Sequence, residues 1–186
     1  HVQWKQSSLA WVHQQGKPTK VNPGGYYGAN GRGEFPHPGY AWAMRRDAWD
    51  DLGGLIDWAV LGSGDSHMAH ALLGQVDWTL NGLPSGSYAP EYQRPFYVWQ
   101  SRAERYVRRN LGSMPGSILH HWHGPKAARR YQERPAILIR NQFDPAVDLK
   151  CDWQGLYQLT DLGTARSRRL RDDLRRYFHE RNEDQL

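Results

Sequence analysis

Asp65 is the residue of this chain whose type and setting best suit acid–base chemistry. It follows Gly62, Ser63 and Gly64, directly ahead of a segment with helical character, so a loop-to-helix connection would expose its carboxylate. Aspartate and serine at such positions are also ordinary helix caps, worth about 1 kcal/mol. Two glycines are more than a cap requires, and they favour a carboxylate that acts as a base or binds a hydroxyl group.

Histidines form the second group with possible chemistry. His67 and His70 lie three residues apart on the helix that follows Asp65, so they share a face. No acidic partner follows on that face, which disfavours a metal pair. We expect one of them to line a site and the other to pack.

A denser cluster of histidines lies further along the chain. Alternation along a predicted strand places His121 and His123 on one face, and imidazole is a good ligand for Mn²⁺ or Zn²⁺. The alternative is that these side chains bond to loop carbonyls. Lys126 follows at a predicted helix start, where free N–H groups favour a diphosphate, although a solvated basic face explains it equally well.

The elements that would position these residues follow from periodicity and from the breaks at Gly and Pro. Gly53 is predicted to end the helix ahead of the acidic loop, and Pro95 to begin another at its first position. The predicted strands are Tyr40–Met44 and Ser117–Trp122. The predicted helices are Asp47–Leu52, Ser66–Leu73, Pro95–Gly112 and Arg166–Arg181. Two further short helices are predicted between Lys126 and Asn141, with an interruption at Pro135.

Composition limits the class of protein. The 186 residues carry a net charge of +5 with 9 Trp and 10 Tyr, which suits anionic partners such as nucleotide diphosphates, nucleic acid or acidic glycans; solvated basic faces are the alternative. Each Trp fits a sugar-binding surface as well as a core. A single cysteine, Cys151, excludes an internal disulfide and predicts a reducing, cytoplasmic setting. No apolar run is long enough for a membrane span.

Three runs in residues 37–150 resemble the C-terminal half of GT-A glycosyltransferases. They are Tyr40-Ala-Trp-Ala-Met-Arg-Arg46, Leu52-Gly-Gly-Leu-Ile-Asp57, and the glycine-rich loop with Asp65 before a helix that ends at Gly74. They are similar to the family 2 enzymes and to the galactosyltransferase and polypeptide GalNAc-transferase groups. His121-Trp-His-Gly-Pro-Lys126 is similar to glycosyltransferase-like proteins of bacteria and phages.

The resemblance implies an α/β fold, the C-terminal part of a GT-A-like mixed-sheet domain with several amphipathic helices. It assigns residues 1–150 to this acceptor and metal side and 151–186 to a basic helical tail. The implied activity is hexosyl transfer from a nucleotide sugar, such as a UDP-sugar, to a hydroxyl of a carbohydrate or other acceptor. Asp65 would be the base, and His123 or His121 a ligand of Mn²⁺ or Mg²⁺. The implied substrate contacts are Trp42, Trp58, Ser63, Gly64, His67, Trp122 and Lys126.

Two departures from the family pattern shape the expectation. Family members carry Glu-Asp in the acidic loop, whereas here Gly64 precedes Asp65, and residues 1–38 contain no Asp for an Asp-x-Asp metal motif. The chain also opens at His1 without Met, so we expect a fragment or a reduced member without the nucleotide-binding half. The alternatives are a non-catalytic glycan- or nucleic-acid-binding module and, disfavoured by the scarcity of paired acidic ligands, a metal-dependent hydrolase.

Overall fold

The computed structural model describes residues 7–17, 19, 36–39, 41–81, 83, 85–119, 130–131 and 133–181. This part of the chain is mainly helical, with one small sheet. Its elements are α1 (Leu9–Gln14), α2 (Arg46–Leu52), α3 (Gly64–Leu72), α4 (Asp77–Leu80), α5 (Pro90–Arg102), a π-helical segment (Ala103–Val107), α6 (Glu133–Arg140), α7 (Pro145–Asp148), β1 (Leu149–Cys151), β2 (Tyr157–Leu159) and α8 (Ala165–Glu180).

The chain divides into two compact units. Unit 1 comprises residues 1–84 and 95–118, and unit 2 comprises residues 85–94 and 119–186. The division drawn from the sequence at residue 150 falls inside β1. The functional assignment of residues 1–150 and 151–186 stays a prediction.

The core of unit 1 forms where short helices bury small and aliphatic side chains. Leu9, Ala69 and Leu73 pack together with Leu111 at its edge. Ser8 starts α1, because its Oγ accepts a hydrogen bond from the Trp11 N–H at 3.1 Å. Ala69 and Ala71 of α3 are also buried, so the helix that follows Asp65 packs into this core through small side chains.

Helix α5 starts five residues before the predicted position. Pro90 is its first residue and Pro95 lies inside it, so the prediction that Pro95 begins the helix is wrong. Proline at 95 lacks the N–H that would bond to the carbonyl of Glu91. Glu91 is exposed, so water can satisfy that carbonyl. The helix ends in the π-helical segment, after which Arg108 and Arg109 adopt left-handed φ values of 54° and 59°.

Unit 2 is organised by α6 and α8. Thr164 caps α8 in a reciprocal capping box with Ser167, and the helix runs to Glu180, which confirms the predicted amphipathic helix within one residue at each end. Residues 126–141 were predicted to hold two short helices. The described part contains one, α6, with Pro135 in its first turn, where proline is tolerated; residues 126–129 lie outside the described part.

The sheet of the described residues is one antiparallel hairpin. Leu149 pairs with Leu159, Lys150 with Gln158, and Cys151 with Tyr157. The predicted strands Tyr40–Met44 and Ser117–Trp122 are absent where the structure describes them, because residues 41–44 and 117–119 have no strand partner. The fold is thus a combination of helices and a small sheet. The larger GT-A-like sheet is not present in the part of the chain that the structure describes.

Candidate functional site

The acidic loop enters α3 through an unusual backbone. Gly62 and Ser63 have φ values of 93° and 68°, in the left-handed region, which costs a non-glycine residue about 1 kcal/mol. Ser63 occupies the N-cap position, yet its side chain makes no capping hydrogen bond. A Cβ at Gly64 would lie 3.2 Å from the Ile56 carbonyl oxygen, so the backbone is closely packed there. The ordinary capping explanation therefore does not account for this turn.

Asp65 lies in the first turn of α3 and is exposed. Free N–H groups and the helix dipole favour a negative charge at this end. No hydrogen bond from a described residue engages its carboxylate. Asp65 thus combines an accessible carboxylate with a closely packed backbone, and its role as a base stays a prediction.

His67 and His70 are both buried, with 2% of each side chain exposed. The Thr79 hydroxyl donates to the Val76 carbonyl at 2.7 Å, so it accepts from His67 Nδ1, also at 2.7 Å. His70 Nδ1 donates to the Ser66 carbonyl at 2.8 Å. Each imidazole is therefore fixed by its Nδ1–H.

The protonation of these two histidines follows from their burial. Burial lowers the pKa of His67 to about 3, with a smaller contribution from His70. Burial also lowers the pKa of His70, opposed by the Ser66 carbonyl and the Asp65 charge. Both rings are neutral at pH 7. His67, predicted as a substrate contact, faces Thr79 and Phe96 in this conformation, and its substrate role stays a prediction.

Phe96 of α5 contacts Trp58, which precedes the acidic loop, and His67 of α3. Its ring centroid lies 5.4 Å from that of Trp58 in an edge-on arrangement and 4.6 Å from the His67 ring. Trp58 Nε1 and His67 Nε2 are buried and have no hydrogen-bond partner in the part of the chain that the structure describes. One is a donor and the other an acceptor, and both belong to rings that contact Phe96.

Two donors from α5 fix the turn that follows α2. Trp99 Nε1 donates to the Gly54 carbonyl at 3.0 Å, and Arg102 Nη1 donates to the Leu52 carbonyl at 3.3 Å. Gly53 has a φ of 81° as the C-cap of α2, the position at which glycine commonly ends a helix. Gly53 was predicted to end this helix, and the structure confirms it.

Trp42 is the exposed aromatic residue among the predicted substrate contacts of the described part. Its side chain is 40% exposed, and a Cβ at Gly39 would lie 2.6 Å from its Nε1. Glycine at 39 therefore allows the indole to lie over the backbone. Trp58 differs, because it is half-buried against Phe96.

The remaining predicted site residues fall elsewhere. His121, Trp122, His123 and Lys126 lie outside the described residues, so their roles as metal, sugar and phosphate contacts stay predictions. Within the described ranges, no group of three or more His, Cys, Asp or Glu side chains could hold a metal ion. The described residues on their own do not fit Mn²⁺ or Mg²⁺.

Phe96, Thr79 and Trp99 shape the candidate site, but the sequence did not mark them as site residues. Phe96 and Trp99 lie three residues apart on the apolar face of α5. This spacing predicts that both side chains are buried, but it does not predict which residues they contact. Thr79 carries no sequence signal for its bond to His67, since that contact depends on how α3 and α4 pack.

Comparisons with protein-family models, with curated proteins and with solved structures find no match for this chain. Among the described residues, no helix is long and apolar enough to cross a membrane. The assignment of the candidate site therefore rests on geometry alone: an exposed carboxylate follows a closely packed turn, and an aromatic cluster lies in the same unit.

Proposed function

We propose that this chain forms the acceptor side of a GT-A-like glycosyltransferase, with Asp65 as the base that activates an acceptor hydroxyl. The exposed Asp65 carboxylate at the start of α3 is the observation that carries the proposal. A base must reach the proton that it removes, and this carboxylate is accessible and held by no hydrogen bond from a described residue.

The backbone around Asp65 supports a catalytic use. Ser63 accepts a left-handed conformation without gaining a capping bond, and unfavourable backbone conformations concentrate where function requires them. Trp99 and Phe96 hold the two ends of the connection between α2 and α3. A base held on such a turn keeps its position relative to an acceptor, and correct positioning accounts for much of the rate of transfer reactions.

The acceptor in this proposal is a carbohydrate or another molecule with a free hydroxyl. Trp42 presents part of its ring to solvent, and an exposed indole can cover the C–H face of a sugar while neighbouring groups bond to its hydroxyls. Trp58, Ser63, Gly64 and His67 are proposed to shape this acceptor side. Trp58 and His67 act through packing in the present conformation.

The donor side of the proposal comes from the sequence resemblance. It comprises a nucleotide sugar such as a UDP-sugar, Mn²⁺ or Mg²⁺ held with His123 or His121, and Trp122 and Lys126 as further contacts. A divalent cation would neutralise charge on the leaving diphosphate. The GT-A-like sheet belongs to the same proposal.

The test combines donor binding with turnover. UDP-sugars are titrated by calorimetry with and without Mn²⁺, and release of UDP is then followed with a panel of sugar acceptors. We expect Mn²⁺-dependent nucleotide binding that is lost in His123→Ala. We expect Asp65→Asn to keep that binding and to reduce acceptor-dependent turnover about 100-fold or more.

Asp50→Asn is the matched control for this test. Asp50 is an exposed aspartate on α2, so its substitution removes the same charge elsewhere in unit 1 and should leave turnover unchanged. An Asp65→Asn variant with the parent rate would contradict the role of the base. Tight, salt-sensitive binding to oligonucleotides without metal, together with no nucleotide-sugar binding, would favour the nucleic-acid-binding alternative.

A further inference from the structure

The β1–β2 hairpin of unit 2 is a rigid projection. Asp152 Oδ1 accepts from the backbone N–H groups of Gln154 and Leu156, both at 2.9 Å, and its Oδ2 accepts from Gln158 Nε2 at 3.1 Å. Gly155 takes the left-handed φ of 79° that closes the turn. The tip is therefore pre-organised, which lowers the entropy cost of binding.

The base of the hairpin is anchored as firmly as its tip. The Thr160 N–H donates to the Asp148 carbonyl at 2.8 Å. The Asp148 side chain is 1% exposed and pairs with Arg166 of α8 at 2.6 Å. A two-stranded hairpin alone is marginally stable, and this anchoring explains how the short strands persist.

This rigid tip presents its largest apolar side chain to water. Trp153 is 90% exposed, and Leu156 and Tyr157 beside it are 59% and 43% exposed. Tryptophan is seldom left so open, because burying a ring of this size is strongly favourable. An ordered turn that holds an indole in solvent indicates a binding surface.

Size and charge identify the kind of ligand. The exposed parts of these three side chains offer roughly 400 Å², about half of the ~800 Å² per partner of a stable protein interface. Residues 149–159 contain one cation, Lys150, and one anion, Asp152. A neutral tip gives no attraction to nucleic acid or to an anionic lipid surface, so a small uncharged ligand fits best.

We propose that the hairpin tip is a binding site for one uncharged sugar residue of a glycan, with the Trp153 indole as the stacking surface. The choice of a glycan rests on the proposed glycosyl transfer, whereas the site itself rests on the hairpin geometry. Gln154, adjacent in the chain, supplies an amide for the sugar hydroxyls. The site belongs to unit 2. It binds a polymeric acceptor through a sugar unit other than the sugar unit that reacts.

Affinity electrophoresis of the full chain tests this site without requiring activity. Native gels contain soluble starch, galactomannan or mixed-linkage β-glucan, and titration of the matching oligosaccharides is followed by tryptophan fluorescence. We expect retardation by at least one neutral polysaccharide. Trp153→Ala should raise the dissociation constant about tenfold or more, equivalent to about 1.4 kcal/mol, and Trp153→Phe should keep much of the affinity.

Phe178→Ala is the matched control, because Phe178 is another exposed aromatic residue of unit 2; it should migrate like the parent chain. Asp65→Asn should also keep the retardation, which separates this site from the proposed catalytic base. The proposal is overturned if no neutral polysaccharide retards the chain, or if Trp153→Ala binds like the parent. Trp153-dependent binding to anionic vesicles or concentration-dependent dimerisation, without glycan binding, would overturn it as well.

Discussion

One buried cluster in each unit shows two different ways of treating polar groups: the cluster around Asn141 in unit 2 and the cluster around Phe96 in unit 1. In unit 2 the buried Asn141 donates to the Ile137 carbonyl and to Asp173, and accepts from Arg169. In unit 1, Trp58 Nε1 and His67 Nε2 are buried without a hydrogen-bond partner among the described residues. A buried group without a hydrogen bond costs about 1–3 kcal/mol, so unit 1 gives up stability in the cluster around Phe96.

This contrast distinguishes buried polar groups that stabilise the fold from buried polar groups that accompany a proposed functional site. The ion pairs of unit 2 orient α6, α7 and α8 and anchor the hairpin, and each of their members is matched. The unmet groups of unit 1 accompany a strained turn and an exposed carboxylate. Violations of local rules are expected at functional sites, which is why unit 1 holds the proposed catalytic base.

The largest expected effect comes from breaking the matched network of unit 2. Asp148 is buried and accepts from Arg166 at 2.9 and 2.6 Å and from the Asp144 N–H at 2.9 Å. Asp148→Ala leaves these donors without their carboxylate. We expect the free energy of unfolding to fall by about 3–5 kcal/mol, measured by urea denaturation.

Asp172→Ala is the control for that loss. Asp172 pairs with Arg171 on the surface of α8, and exposed pairs contribute at most about 1 kcal/mol. Equal losses in the two variants would show that the buried pair does not organise unit 2.

The next effect is a pH response specific to unit 1. The folded-state pKa of His67 is about 3, below its usual 6.5, so the unfolded chain takes up the proton first as the pH falls. The stability from neutral His67 is fully present above pH 6.5 and is lost progressively toward pH 3. At pH 5 we expect a loss of about 2 kcal/mol, measured by residue-level amide exchange.

His67→Gln should flatten this response by at least half, with the remainder due to His70. In unit 2, burial raises the pKa of Asp173, but bonds from Asn141 and Arg140 outweigh it, so that pKa lies below its usual 3.8. That contribution is present above pH 3.8 and is lost only at lower pH. Amides of α6 and α8 should thus keep their protection between pH 6.5 and 5, and a simultaneous loss in both units would contradict the contrast.

The smallest effect compares one helix cap from each unit. Thr164→Ala removes a reciprocal capping box of α8, whereas Ser8→Ala removes a single cap bond of the six-residue α1. We expect a loss near 1 kcal/mol for Thr164→Ala and less for Ser8→Ala, compared by thermal unfolding. The reverse order would mean that α1 is a stronger contributor than its length indicates.

Local signals in the sequence predicted several elements well. Gly53 ended α2 as expected, since glycine accepts the left-handed C-cap, and the spacing of Leu170, Leu174 and Tyr177 marked α8. The predicted start of α5 at Pro95 was wrong, because a proline in the sequence does not distinguish the first helical position from a position one turn further into the helix. The hairpin was missed, since three-residue strands are too short for a pattern of alternation.

The sequence by itself determined α2, α3 and α8, and it identified Asp65 as a carboxylate at a helix start, because these features depend on neighbours in the chain. Tertiary structure alone decided that Phe96 contacts Trp58 and His67, and that Thr79 fixes the His67 tautomer. It also decided that Trp153 is exposed rather than buried. Those outcomes depend on contacts between residues distant in sequence, for which periodicity and composition carry no information.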